Sequence, residues 1–179
     1  MKNAFFHVVT TAVFAVDIWL KNRVEKQAET NGRASSDWLD FSYQETKPKG
    51  NRLFIPKRQH NRGLPMGIAS EHQGKVAILS LLTTIGLLYA YFATIKAKGK
   101  LLRKLGLSLQ LGGAFSNTYD RLTRRYVVDY FSFNVRGKLG QIVFNLADIA
   151  IIFGSLMVFL DSLKLSSNLE SDTVSHTHR

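Results

Sequence analysis

Val76–Ile95 reads VAILSLLTTIGLLYAYFATI, twenty residues without a charge. As a helix rising 1.5 Å per residue it covers about 30 Å, the thickness of a bilayer's hydrocarbon core. It is the clearest transmembrane helix in the chain and sets the fold class: an all-α membrane protein. Hydropathy averaged over the 179 residues is close to neutral. That average hides a few long apolar runs set between very basic stretches.

Working outward, Lys96, Lys98, Lys100, Arg103 and Lys104 put five positive charges into nine residues. Such density belongs to a short cytoplasmic turn between two spans. Leu101–Tyr119 follows, less apolar but with small polar residues, and Gly112-Gly113-Ala114 lets another helix approach closely. Ile142–Leu160, IVFNLADIAIIFGSLMVFL, is broken only by Asn145 and Asp148. At the other end Ala4–Leu20, AFFHVVTTAVFAVDIWL, covers roughly 25 Å as a helix. A signal peptide competes for this stretch, but Asp17 and Trp19 stand where a small-residue cleavage site should lie. The reading is one membrane domain over residues 1–165, with four transmembrane helices at about 4–20, 76–95, 101–119 and 142–160.

Four spans put both termini on one side, and the dense turn places that side in the cytoplasm. Most of the 24 Lys and Arg nevertheless fall in the two long loops that this makes external. The short turn carries more weight, because the orientation rule counts short loops and span ends. In the loop 22–75, Asp37–Tyr43 alternates partly like a strand, with Arg52–Ile55 as its candidate partner. Either a small extracytoplasmic β-rich loop lies on the membrane surface, with Trp38, Phe41, Tyr43 and Phe54 toward the headgroups, or the stretch is a flexible loop. The tail 166–179 is expected to be disordered, and His176 and His178 on it carry no metal site.

The chain has no cysteine, which excludes disulfides, thiolate metal sites and a Cys nucleophile. A net charge of +11 fits nucleic acid or anionic phospholipid. The apolar runs decide for membrane phospholipids and against nucleic acid.

Carboxylates inside such runs cost roughly 2.5–3.5 kcal/mol each at a helix centre, so those that occur there call for a use. Asp17 and Lys21 are four apart and can pair at a helix boundary. Asn117, Asp120 and Arg121 share one face of a helix, and an Asp120–Arg121 pair would steady its end. Asp129 lies in an apolar segment, Val127-Val128-Asp129-Tyr130-Phe131, that returns toward the membrane. Asn145 and Asp148 are three apart and so on one helix face. Asp129 and Asp148 then belong near the same external surface, where two adjacent carboxylates hold one proton between them. Such a pair can activate water and protonate an amide leaving group. Two unrelated buried acids, or a proton relay in a small transporter, fit the residues as well.

Taken together, Gly112–Arg121 (GGAFSNTYDR), Tyr126–Tyr130 (YVVDY) and Phe144–Asp148 (FNLAD), in that order, resemble signal peptidase II, the bacterial lipoprotein signal peptidase. Asp17–Lys21 looks like the family's first-helix Asp and Lys, and Asn61-Arg62-Gly63 like the start of its Asn-x-Gly motif. The strong match covers about residues 105–155. The resemblance implies an aspartyl endopeptidase of the bacterial inner membrane, monomeric, without metal or cofactor. Its substrates would be prolipoproteins, cut before a diacylglyceryl-modified cysteine. Asp129 and Asp148 would be the catalytic pair. Asn61, Gly63, Asn117, Asp120, Arg121, Asn145, Asp17 and Lys21 would bind substrate or support the site.

The chain departs from the family pattern at Leu64-Pro65-Met66-Gly67, where a small residue and Phe-Gly are usual, and at Ser116, where glycine is usual. The loop 22–75 is also longer and more basic. These differences point to a divergent paralogue and leave open a catalytically idle relative that binds lipoproteins or signal peptides.

Overall fold

The computed structural model describes residues 3–29, 54–63, 70–133, 135, 140 and 142–177. Among these residues four α-helices form, α1 (Ala4–Glu29), α2 (Gln73–Ile95), α3 (Leu101–Thr123) and α4 (Leu146–Thr177). Three strands accompany them, β1 (Phe54–Asn61), β2 (Val127–Phe133) and β3 (Val143–Phe144).

α3 is the hub, with α1, α2 and α4 each packed against it. Its small residues make this possible. A methyl group added at Gly112 would lie 2.7 Å from the Thr10 carbonyl oxygen of α1. One added at Gly113 would lie 2.5 Å from the Ala147 carbonyl oxygen of α4. Adjacent glycines thus admit helices on two sides, the close approach expected where lipid supplies no hydrophobic drive. Nearer the other end of α3, Gly106 and Gly154 bring the α3 and α4 backbones together again. α2 meets α3 through Thr84, whose hydroxyl is 2.8 Å from that of Thr118. Phe6, Tyr91, Ile95, Leu107 and Leu111 form the apolar core where α1, α2 and α3 meet.

Because it is enclosed, α3 can be polar, burying Lys104, Ser108, Ser116, Asn117, Thr118 and Asp120. The outer helices show the opposite pattern. Phe5, Val8 and Trp19 on α1, Ile78, Leu82 and Phe92 on α2, and Ile152, Phe153 and Phe159 on α4 are all exposed. That is the surface of a protein in lipid, not in water. α1, α2 and α4 are long and apolar enough to cross a membrane. α3, expected as a fourth span, falls short of that criterion among the described residues.

The sheet is antiparallel with order β1-β2-β3. Its register sets Gln59 opposite Asp129, His60 opposite Val128 and Phe131 opposite Phe144. Arg52–Ile55 was expected to pair with residues 37–43, which lie outside the described residues. The strand instead begins at Phe54 and pairs with β2, from the loop after α3. Pro56 and the irregularity between it and Gln59 lie on β1, the edge strand among the described residues, where a missing N–H is tolerated. Three further boundaries differ from expectation. α1 runs on to Glu29, β3 occupies Val143-Phe144 where the last span was expected to have begun, and α4 stays helical to Thr177, into the expected tail.

Candidate active site

Where the sheet meets the helix ends, polar side chains are buried in two linked layers. The inner layer is built on Lys21, whose side chain is fully buried. Its Nζ lies 2.7 Å from Asp17 and 3.2 Å from Asp120, and donates to Ser116 Oγ at 3.0 Å and Asn117 Oδ1 at 2.9 Å. Asp17 is held further by the Ser116 hydroxyl at 2.5 Å, the Tyr130 hydroxyl at 2.7 Å and the Ala147 N–H at 3.2 Å. Asp120 accepts the Val128 N–H at 3.2 Å. One ammonium thus ties α1 to α3, while its two carboxylates tie both to β2 and to the start of α4. Buried ions persist only when partnered in this way.

Tyr130 links the layers. Besides donating to Asp17, its oxygen accepts the Leu146 N–H at 3.0 Å. Burial, then the nearby Asp17 charge, push its phenol well above the usual range, so it acts here as a neutral donor.

The outer layer holds the acids expected to pair. The Asn145 amide Nδ2 donates to Asp129 Oδ1 at 2.7 Å and to Asn117 Oδ1 at 3.2 Å. The Asn145 N–H donates to Asp148 Oδ2 at 3.2 Å, and the Asp148 N–H returns to Asn145 Oδ1 at 2.9 Å. Asn117 Nδ2 donates to the other Asp148 oxygen at 2.8 Å. A single asparagine therefore holds both carboxyl groups, one by its side chain and one by its backbone. Asp129 is 2 % exposed. Burial, then the Asp148 charge, raise its pKa to about 7, against the lowering effect of hydrogen bonds from Asn61 and Asn145.

Asn61 and Gly63 enter from β1. The Asn61 carbonyl oxygen Oδ1 accepts the Gly63 N–H at 3.0 Å, and its side chain lies near enough to Asp129 to lower that acid's pKa. Arg121 Nη2 donates to the Gly63 carbonyl at 3.1 Å, closing the site from the α3 side.

The ten residues singled out from sequence thus lie in one connected cluster, with three corrections of detail. Asp120 does not pair with Arg121: Lys21 and, at 3.5 Å, Arg124 face it instead, while Arg121 turns to Gly63. Asn145 and Asp148 do not share a helix face. Asn145 precedes the first residue of α4, and the reciprocal bonds with Asp148 form a capping box. Asp17–Lys21, read as a boundary ion pair, is the buried centre of the inner layer. Sequence reasoning missed Tyr130 and Ser116. Ser116 had been noted as a small residue of the third span and as a departure from glycine, yet a hydroxyl between Lys21 and Asp17 is a polar addition with a visible job. Among the described residues no group of His, Asp or Glu is placed to hold a metal ion.

Apolar helices around a polar hub, with two acids joined through Asn145 where a small sheet meets α4, define a multi-pass membrane protein with a built carboxylate site. Residues 9–164 match the family model of signal peptidase (SPase) II. The chain belongs to the signal peptidase II family. It is 40 % identical over 100 residues to a lipoprotein signal peptidase of Clostridium acetobutylicum, covering 55 % of this chain and 62 % of that relative's length. A lipoprotein signal peptidase of Geobacillus thermodenitrificans is 28 % identical over 164 residues, 89 % of each chain. A bacterial membrane enzyme solved by the in meso method has the same fold, with a TM-score of 0.70 and 23 % identity over 92 % of this chain and 91 % of that one.

Proposed function

We propose that this protein is an aspartyl endopeptidase of the bacterial inner membrane. It removes the signal peptide of diacylglyceryl-modified prolipoproteins on the N-terminal side of the lipidated cysteine. Asp129 and Asp148 are its catalytic pair. The observation that carries the reading is their common attachment to Asn145, and two neighbouring carboxyls hold one proton between them. The ionised member takes a proton from water, whose oxygen attacks the scissile carbonyl. The protonated member then gives its proton to the departing amide nitrogen as the carbon–nitrogen bond breaks.

Asn117 and Asn145 fix the acids. Asn61, Gly63 and Arg121 border the cleft, and Arg121 adds positive charge near the developing oxyanion. Asp17, Lys21 and Asp120 hold the frame, and no metal or cofactor takes part. The chain works as a monomer among phospholipids, with α3 as a fourth span, both termini cytoplasmic and the sheet at the outer face.

Asp129→Asn and Asp148→Asn should each reduce cleavage of a lipidated precursor to background while the protein still inserts. Normal processing by either variant sinks the proposal. Binding of precursor without cleavage by the native protein would instead identify a catalytically idle relative.

A further inference from the structure

At the rim of the site, α1, β1 and the turn before β2 are joined by a contact that the proposed chemistry does not use. Glu25 Oε1 of α1 lies 3.0 Å from His60 Nε2 of β1 and 3.6 Å from Arg58 Nε. The His60 ring stacks on Tyr126, with centroids 4.0 Å apart and 25° between planes. The Glu25 and His60 side chains are only 21 % and 29 % exposed, so solvent competes weakly for the pair. One imidazole therefore ties three elements together.

β1 has reason to need such a tie. Among the described residues it is the edge strand, and its register breaks between Pro56 and Gln59, just before the part that reaches the acids. A strand whose register is broken by a bulge is poorly fixed by that ladder alone. Yet the next residue, Asn61, must hold Asp129, and Gly63 must meet Arg121.

We propose that His60, clasped between Glu25 and Tyr126, is a positioning residue that holds Asn61 against Asp129 and the Gly63 carbonyl against Arg121. The inference rests on Asp129 belonging to the active site, and on nothing about the substrate. Arg58 also faces Glu25, and Arg124 and Asp120 lie within electrostatic range of Tyr126. Without His60, Arg58 is left holding Glu25 alone, with no ring stacked beneath it.

Asn61 is one of the hydrogen bonds that lower the Asp129 pKa. Loosening the strand should therefore move the titration of Asp129 to higher pH, a change that plain destabilisation does not produce. The test uses full-length protein in nanodiscs with carboxyl-labelled aspartate, the Asp129 signal being assigned by its loss in Asp129→Asn. His60→Ala should shift the Asp129 titration upward. Glu25→Gln should shift it less, since the stack on Tyr126 remains. His60→Gln, whose amide can still reach Glu25, should restore most of the native value. An Asp129 titration unmoved in His60→Ala overturns the proposal.

Precursor cleavage gives a second reading. His60→Ala should lower kcat roughly tenfold, the scale of a small misplacement of a reacting group, and move the pH limb by the same amount as the titration. A native protein that cuts no precursor would defeat the proposed function, while the titration would still decide the role of His60.

Discussion

Asp129 sits where a carboxylate is expensive and a carboxylic acid is not. Its folded pKa, about 7, lies above the usual value of 3.8. The folded state therefore binds a proton more tightly than the unfolded chain does. The stability this gives is complete below about pH 4 and is lost as pH rises through about 7. Asp129→Asn should then melt higher than the native protein at pH 8, by about 2–4 kcal/mol, with the gap closing toward pH 4. Thermal unfolding across that range checks it, and an equal gap at both pH values would contradict it. If Asp129 and Asp148 work as proposed, cleavage should fall over the same range as the pair loses its shared proton. Lys21 makes the converse case. Replacing it by Met leaves Asp17 and Asp120 buried without their common cation, at a cost of roughly 3–5 kcal/mol. The expected result is loss of folded protein, whereas Lys26→Met, at an exposed position, should be tolerated.

Among the elements, α3 and α4 show how a site is held by backbones. A methyl at Gly113 meets the Ala147 carbonyl, whereas one at Gly86 on α2 meets nothing within 4 Å. Gly113→Ala should thus destabilise by about 1–3 kcal/mol and reduce activity, since the wedge falls one residue from Asp148. Gly86→Ala should be neutral or mildly stabilising, as glycine is a poor helix residue. Paired melting curves decide this, and equal effects would show that helix spacing is not critical. The helices and their glycine contact were legible because apolar runs and small-residue clusters are local signals. Spacing and resemblance also singled out the ten residues that the fold gathers into one polar cluster. The sheet was not legible. Val127–Tyr130 is buried at four successive positions, so it shows no alternation, and its partner strand lies about seventy residues earlier. Nothing in a short window records such a pairing. The Asn145–Asp148 spacing was seen and misread, because three residues apart describes a capping box as well as a helix face.

For the molecule as a whole, the apolar belt on α1, α2 and α4 sets the environment. Leu82 on α2 is 60 % exposed. Leu82→Lys should cost roughly 2.5–3.5 kcal/mol of insertion if this face meets the hydrocarbon core, and little if it meets water. Membrane fractionation of the expressed variant separates the two. α3 has a different consequence, one that concerns synthesis. With Lys104, Asn117 and Asp120 buried against its neighbours, it gains little from entering lipid by itself. A nascent chain that has released α1, α2 and α3 but not α4 lacks the surface that Gly106 and Gly113 are shaped to meet. In the proposed four-span topology the ribosome must therefore deliver α4 before α3 can settle, so insertion of α3 is decided by a hydrophobic segment that emerges after it. Chains truncated before Leu146 should leave α3 outside the bilayer and be degraded, even though every residue of α3 is present.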